Sequence, residues 1–323
     1  MTIAAPPRAQ QRPADLRDQV NTLVSRYGVG LVVVLLCVGF AISSPLFLTG
    51  ANLMNIAAQA SITGIVAIGV TFVMISGEMD ISIAGIAPLT GMVVALLMTH
   101  GVTMWVAMAV GLCVGLVFGL LNGVLSTVLN LPSVIVTLAT MYLGTGLANI
   151  MTGGTAIYGL PEEFLLGGRG RILGIPVPLI VLVVVAAIAI TVLSSTVFGR
   201  HVYAIGGNKT VARLAGVPVT RNKMIYFVIS GVCASITAIL LSSQVASGQP
   251  TTGTSLHFVA ITAVVIGGTA LFGGKGTIQG SLLGALLLTV LTNGLNLNGI
   301  SSFWQSVISA IVLIITIVAN RND

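Results

Sequence analysis

Runs of apolar residues follow one another from Val29 to Val318, separated by short polar or glycine-containing connections. A helix needs about 20 predominantly apolar residues to traverse the ~30 Å hydrocarbon core of a bilayer. By that measure the pattern predicts helices near Val29–Ile42, Ile56–Ser76, Ile83–Met98, Val102–Leu129, Val134–Met151, Val177–Val197, Met224–Leu241, Phe258–Phe272, Ile278–Leu295 and Phe303–Val318. The expectation is an all-α polytopic membrane protein of about ten transmembrane helices: one membrane domain over residues 28–320, behind a tail over residues 1–27. The first run follows Arg26 and resembles a signal-peptide core. The charged stretch ahead of it, with Arg8, Arg12, Asp15, Arg17 and Asp18, is too long for that, and the sidedness derived next requires the run as a retained span. Met1 to about Leu23 therefore reads as a cytoplasmic tail, its later part suited to an interfacial helix.

One polar interruption is strongly one-sided. Arg200 to Lys223 carries Arg200, Lys209, Arg213, Arg221 and Lys223 and no acidic residue. Cytoplasmic loops accumulate lysine and arginine, so this stretch orients the chain. Ten spans put both termini on one side together with every second loop. With the amino terminus in the cytoplasm, the loop over residues 199–223 falls inside, as do Lys275 and Arg321. The charge-balanced segment Gly153 to Pro176, with Glu162, Glu163, Arg169 and Arg171, falls outside. Nine spans, or ten in the opposite sense, would put the basic cluster on the wrong face.

Composition agrees: 56% of the 323 residues are hydrophobic, 6% are charged, and mean hydropathy is +1.09. The net charge of +6 does not point to nucleic acid, because the basic residues lie between the apolar runs. Cys37, Cys113 and Cys233 each sit inside an apolar run, too few and too scattered for a metal site or a disulfide framework. His100, His201 and His257 show no metal-ligand spacing, and no Gly-x-Ser-x-Gly or His-Glu-x-x-His pattern supports an intramembrane hydrolase. Gly111, Gly115 and Gly119 at intervals of four form a groove that lets a neighbouring helix approach closely. Pro88 is expected to kink or break the third span.

Inside the basic loop, Asn208 precedes Lys209-Thr-Val-Ala-Arg-Leu-Ala215, followed by Gly216 and Val217-Pro218. Asparagine is a good N-cap, glycine the usual C′ residue, and proline prevents continuation. The pattern predicts a helix of about two turns with Val211, Leu214 and Ala215 on one face and Lys209 and Arg213 on another. Such a helix fits a groove on a soluble partner; the plainer reading is an ordinary positive-inside loop. Glu78 and Asp80 are the only acids near the second and third spans. The topology places them at the cytoplasmic boundary, within reach of water, where Asp80 suits the amino terminus of the third span. A gating or interface role and a proton relay are the alternatives. Gly273-Gly-Lys-Gly276 is not a phosphate loop, because Thr269 stands where the first glycine is required and Gly276 where Ser or Thr would bind magnesium. It reads as a tight turn with Lys275 facing the cytoplasm.

Phe198-Gly-Arg-His-Val-Tyr-Ala-Ile-Gly-Gly-Asn-Lys-Thr-Val-Ala-Arg-Leu-Ala-Gly-Val217 resembles the cytoplasmic segment of the ribose-type sugar ABC importer permeases, a family related to branched-chain amino acid permeases. Gly77-Glu-Met-Asp-Ile-Ser82, Thr137-Leu-Ala-Thr-Met141 with Thr152-Gly-Gly154, and Gly267-Gly-Thr-Ala-Leu-Phe-Gly-Gly-Lys-Gly276 resemble further motifs of that family, in order, over roughly Asn52 to Trp304. Ala84 departs from it, since the family often has glycine there. The resemblance implies a type II ABC importer-like transmembrane domain without catalysis or cofactors of its own. ATP and magnesium would be bound by cytoplasmic ATP-binding subunits, beside a second permease subunit, identical or not, and a periplasmic or lipid-anchored sugar-binding protein. It also makes the short helix the coupling helix, with Arg200, Asn208, Lys209, Arg213, Leu214 and Gly216 as its docking residues. Asn122, Asn149, Asn293 and Asn296 lie in or near spans and would either contact a passing sugar or bond to neighbouring helices. Asn208-Lys-Thr210 matches a glycosylation sequon but falls in the loop assigned to the cytoplasm. The functional expectation is import of a monosaccharide or small polyol across the bacterial inner membrane by alternating access; the rival is an ion- or proton-coupled secondary transporter, which would need a carboxylate at mid-membrane.

Overall fold

The computed structural model describes residues 16–319. Thirteen α-helices and one two-stranded hairpin follow in order among them: α1 (Leu16–Ser43), α2 (Gly50–Ile75), α3 (Ile83–Thr99), α4 (Met104–Thr127), α5 (Ser133–Ile150), α6 (Glu162–Arg169), β1 (Arg171–Ile172), β2 (Ile175–Pro176), α7 (Val177–Ser195), α8 (Val197–Gly207), α9 (Lys209–Leu214), α10 (Val219–Val245), α11 (Leu256–Ile266), α12 (Ile278–Leu297) and α13 (Ser302–Ala319). Six of them, α2, α4, α5, α7, α10 and α12, are long and apolar enough to cross a membrane. Helices α3 and α11 and the apolar stretches Gly28–Ser43 of α1 and Ser302–Val312 of α13 are shorter. Residues 1–15 of the expected tail lie outside the described residues, and α1 begins before the boundary drawn at residue 28.

From Ser61 to Ile75 helix α2 is buried on nearly every face, as expected of a helix apolar all round. Its Val66, Val70 and Met74 join one cluster with α3, α11 and α12, while Ile65, Ile68 and Phe72 join a second with α7, α8 and α10. Helices α4, α5 and α7 turn large apolar side chains outward, including Ile135, Val183 and Ile188. Water would penalise that surface; hydrocarbon does not.

The small-residue groove of α4 receives α10. A Cβ on Gly119 would lie 2.6 Å from the Phe227 carbonyl oxygen, one on Gly123 2.8 Å from Met224 Cα, and one on Gly115 would collide with the Gly231 carbonyl. Gly85 and Gly144 perform the same service between α3 and α5. Pro88 is buried, and α3 continues through it unbroken.

Several elements differ from the expected pattern. Helix α10 is longer than the span Met224–Leu241: it spans Val219–Val245, and Ala246, at φ +59°, ends it. At 27 residues it is roughly 40 Å long. Helix α11 stops at Ile266, six residues short of Phe272, because Gly267 and Gly268, the latter at φ +87°, turn the chain away. The loop over residues 199–223 is mostly helical, since α8 fills its first part.

Candidate functional site

Helix α9 is built as its sequence dictates. The Asn208 side-chain oxygen accepts from the amides of Thr210 and Val211, both at 3.0 Å. At the other end the Gly216 amide donates to the Arg213 carbonyl at 3.1 Å and the Val217 amide to the Ala212 carbonyl at 3.0 Å, a Schellman closure, with Gly216 at φ +80°. Ala212 is buried, whereas Lys209, Val211, Arg213 and Leu214 are exposed. Leu214, 83% exposed, is an apolar side chain held out on a capped helix.

Beneath α9 lies α8, which sequence reading missed. Thr196 caps it by accepting from the Gly199 amide at 3.1 Å, and Val202 and Ile205 join Phe72 and Ile75 of α2 in the second cluster. The signal was present in Thr196 and in the spacing of Phe198, Val202 and Ile205; glycines at 199, 206 and 207 obscured it. Gly199 and Gly206 are there for contact. A Cβ on Gly206 would collide with the Ile75 carbonyl and lie 2.6 Å from the Gly274 amide. The Gly274 amide in turn donates to Ile75 O at 2.8 Å, and Tyr203 Oη donates to the Gly276 carbonyl at 2.8 Å. The end of α2, the end of α8 and the glycine-rich turn over residues 267–277 thus form one clasp of touching backbones. Lys275 is exposed on that turn beside Phe272, whose ring is also fully outward.

A buried ion pair ties the clasp to α10. Lys223 Nζ donates to Glu78 Oε1, with the lysine side chain 5% and the glutamate side chain 16% exposed. Lys223 was expected on the loop; the early start of α10 places it inside a helix. Its charge is the main reason that the Lys209 pKa falls, followed by burial; Glu78 opposes the shift and Arg213 adds to it. Alongside, Asn222 Nδ2 and His201 Nδ1 are hydrogen-bonded at 3.0 Å. Arg200 is exposed on α8.

Asp80 corrects an expectation. Rather than lying within reach of water, it is completely buried. Its Oδ1 accepts from the Ser82 amide at 3.0 Å and the Ser82 hydroxyl at 2.5 Å, just ahead of α3, where the terminal residue Ser82 makes no side-chain cap. Asn122 Nδ2 donates to Ser82 Oγ at 2.8 Å and Thr140 Oγ1 to Asn122 Oδ1 at 2.7 Å, so the chain of hydrogen bonds joins α3, α4 and α5. Burial pushes the Asp80 carboxyl above its usual range; the Ser82 hydroxyl, Ser230 and the Ser82 amide hold it down by less. Ser230 faces it without a hydrogen bond, and Asp80 Oδ2 and Ser230 Oγ both lack a partner among the described residues.

Residues 52–317 match the family model described as branched-chain amino acid transport system / permease component. The chain is 40% identical to the ribose import permease of Bacillus subtilis, over 94% of this chain and 95% of that one. It is 38% identical to the L-arabinose transport system permease of Escherichia coli, over 92% and 90% respectively. A probable ABC transporter permease of Escherichia coli is 38% identical over 99% of this chain and 96% of its own. The chain belongs to the ribose-type ABC importer permease family. No solved structure matches it.

In this permease the four asparagines have distinct surroundings. Asn122 is enclosed in the network above. Asn293 and Asn52 form a reciprocal amide pair, at 2.9 and 3.0 Å, between α12 and α2. Asn149 is exposed and donates to the Thr145 carbonyl, and Asn296 accepts from Gln305 Nε2 at 2.7 Å. None of the four lines the cavity between α2, α11, α12 and α13.

Proposed function

We propose that the chain is the membrane subunit of a sugar importer driven by ATP that partner subunits bind with magnesium. It crosses the bacterial inner membrane ten times, with both termini in the cytoplasm. The four shorter apolar helices complete the count, and chain direction supports the parity: the coupling loop precedes α10, while α6 packs at the far end of α10, where the Gly168 amide donates to Ser243 Oγ at 2.6 Å. The observation that carries the reading is the capped, outward-facing α9 seated on the clasp that joins α2, α8 and the glycine-rich turn. A groove on an ATP-binding subunit would receive Leu214 and Val211, flanked by Lys209 and Arg213. Motion of that subunit would reach the membrane helices through the clasp, giving alternating access. Sugar arrives from an external binding protein, and a second permease subunit completes the path.

The test separates docking from folding. With Arg213→Glu combined with Leu214→Asp, inserted protein is expected to remain at the wild-type level, while co-purifying ATP-binding subunit and sugar uptake each fall at least about tenfold. Unchanged association and uptake at matched expression would return α9 to an ordinary basic loop.

The buried Asp80 gives the secondary-transporter reading one specific support, and Asp80→Asn discriminates. Because the folded-state pKa is raised, the protonated form is favoured in the fold, and stability is lost as pH rises from near 3.8 through the folded value. The amide removes that dependence. Wild type is expected to lose thermal stability in detergent as pH rises above 3.8 more steeply than Asp80→Asn, which should retain ATP-driven uptake. Loss of uptake with an intact, assembled variant would favour proton coupling.

A further inference from the structure

The hairpin that joins α6 to α7 reverses the usual order of apolar and polar positions. Its strands pair Arg171 with Pro176 and Ile172 with Ile175, so each pair shares one face. Pro176 is buried, which makes its face the inner one. The outer face is therefore Ile172 and Ile175, and both are exposed. A hairpin standing in water is expected to show the opposite arrangement, apolar inward and polar outward. The turn repeats the anomaly. Leu173 and Gly174 form a two-residue loop at φ +52° and +83°, a pattern that Asn-Gly or Gly-Gly fills without strain. A leucine there is strained, and the side chain it holds out is 97% exposed. Strain and exposure are both unfavourable in water, yet together they set a large apolar residue at the farthest point of the hairpin.

The position of the hairpin says what meets it. Pro176 is at once the last residue of β2 and the N-cap of α7, so no linker separates the hairpin from a helix long and apolar enough to cross a membrane. The Val177 amide donates to the Gly170 carbonyl at 3.1 Å and closes the base. On α7 the large exposed apolar side chains begin at Val183, about 9 Å further along the axis. The hairpin therefore stands where the headgroup layer begins, beside the surface that α7 turns to hydrocarbon. Arg171 is exposed at its foot, and no ion pair engages it among the described residues. The acids of α6, Glu162 and Glu163, lie at the opposite end of that helix, about 10 Å along the axis from Arg169. A guanidinium beside an apolar tip is complementary to a phosphate above an acyl chain.

We propose that this hairpin is a lipid-docking element: Leu173, with Ile172 and Ile175, enters the headgroup layer of the leaflet in which α7 begins, and Arg171 receives a phospholipid phosphate. The inference goes beyond the proposed function and needs only that α7 spans a bilayer. Because the Gly168 amide of α6 donates to Ser243 Oγ of α10, the lipid contact would also set the depth at which that end of α10 sits.

The experiment uses the full complex, permease with its ATP-binding subunits, in nanodiscs of phosphatidylethanolamine and phosphatidylglycerol, part of the latter carrying a photoreactive diazirine close to its headgroup. Illumination is expected to label residues 170–177 together with the lipid-facing side of α7, the sites being read by mass spectrometry. Leu173→Asn gives the turn its preferred Asn-Gly pair, so the hairpin stays folded. That variant should lose labelling of residues 170–177 several-fold while α7 keeps its own. Arg171→Glu, which repels a phosphate, should lower hairpin labelling as well. With p-benzoylphenylalanine at position 173 and the sugar-binding protein present, the adduct is expected to be a phospholipid. An unlabelled hairpin beside a labelled α7 in the wild type would overturn the proposal. So would an adduct at position 173 with the sugar-binding protein alone, which would make the tip a protein-docking surface.

Discussion

Gly206→Val is expected to abolish sugar uptake and to lower the amount of assembled complex sharply. The added Cβ would collide with the Ile75 carbonyl and press on the Gly274 amide. Both are backbone atoms already joined to each other by a hydrogen bond, so they cannot swing aside as a side-chain tip can. Overpacking of this kind costs at least about 2 kcal/mol, and here it falls on the contact that seats α8 against α2. Gly207→Ala is the control, because a Cβ there meets nothing within 4 Å. Wild-type assembly and uptake in Gly206→Val, measured beside Gly207→Ala, would mean that the clasp does not carry the coupling.

Lys223→Met should be nearly as damaging, and its rescue is the sharper result. Removing one member of a buried ion pair strands the other charge, at a cost on the order of 3 kcal/mol, lessened because Glu78 keeps some contact with solvent. Replacing both members by neutral groups removes the stranded charge. The double variant Glu78→Gln with Lys223→Met should therefore regain much of the thermal stability lost by Lys223→Met alone. If the effects of the single variants simply add, the two side chains are not coupled.

Much of this was legible in the chain because lipid imposes a simple rule. Apolar run length marked the long helices, and α9 was readable from Asn208 and Gly216, whose caps are local chemistry. Helix α8 was not, because glycines needed for backbone contact look like loop residues when the contacting backbone is distant in sequence. The early start of α10 was missed for a related reason: Asn222 and Lys223 read as loop, and only the distant His201 and Glu78 make them helix interior. Burial of Asp80 depends on Ser82, Asn122, Thr140 and Ser230, which come from four separate segments.

Helix α10 also has a mechanical meaning. It is a continuous rod whose two ends carry different attachments, Lys223 with the clasp near one and the Gly168 amide at Ser243 near the other. Close to its middle, Gly231 meets Gly115 of α4 backbone to backbone, the place where the rod has least room to slide. In the proposed importer that contact would serve as a fulcrum. Rotation of a ~40 Å helix by only about 5° around its midpoint carries each end roughly 1.7 Å, in opposite directions. A push received at one membrane face would therefore arrive at the other face inverted, so that closing on one side and opening on the other are a single rigid-body event.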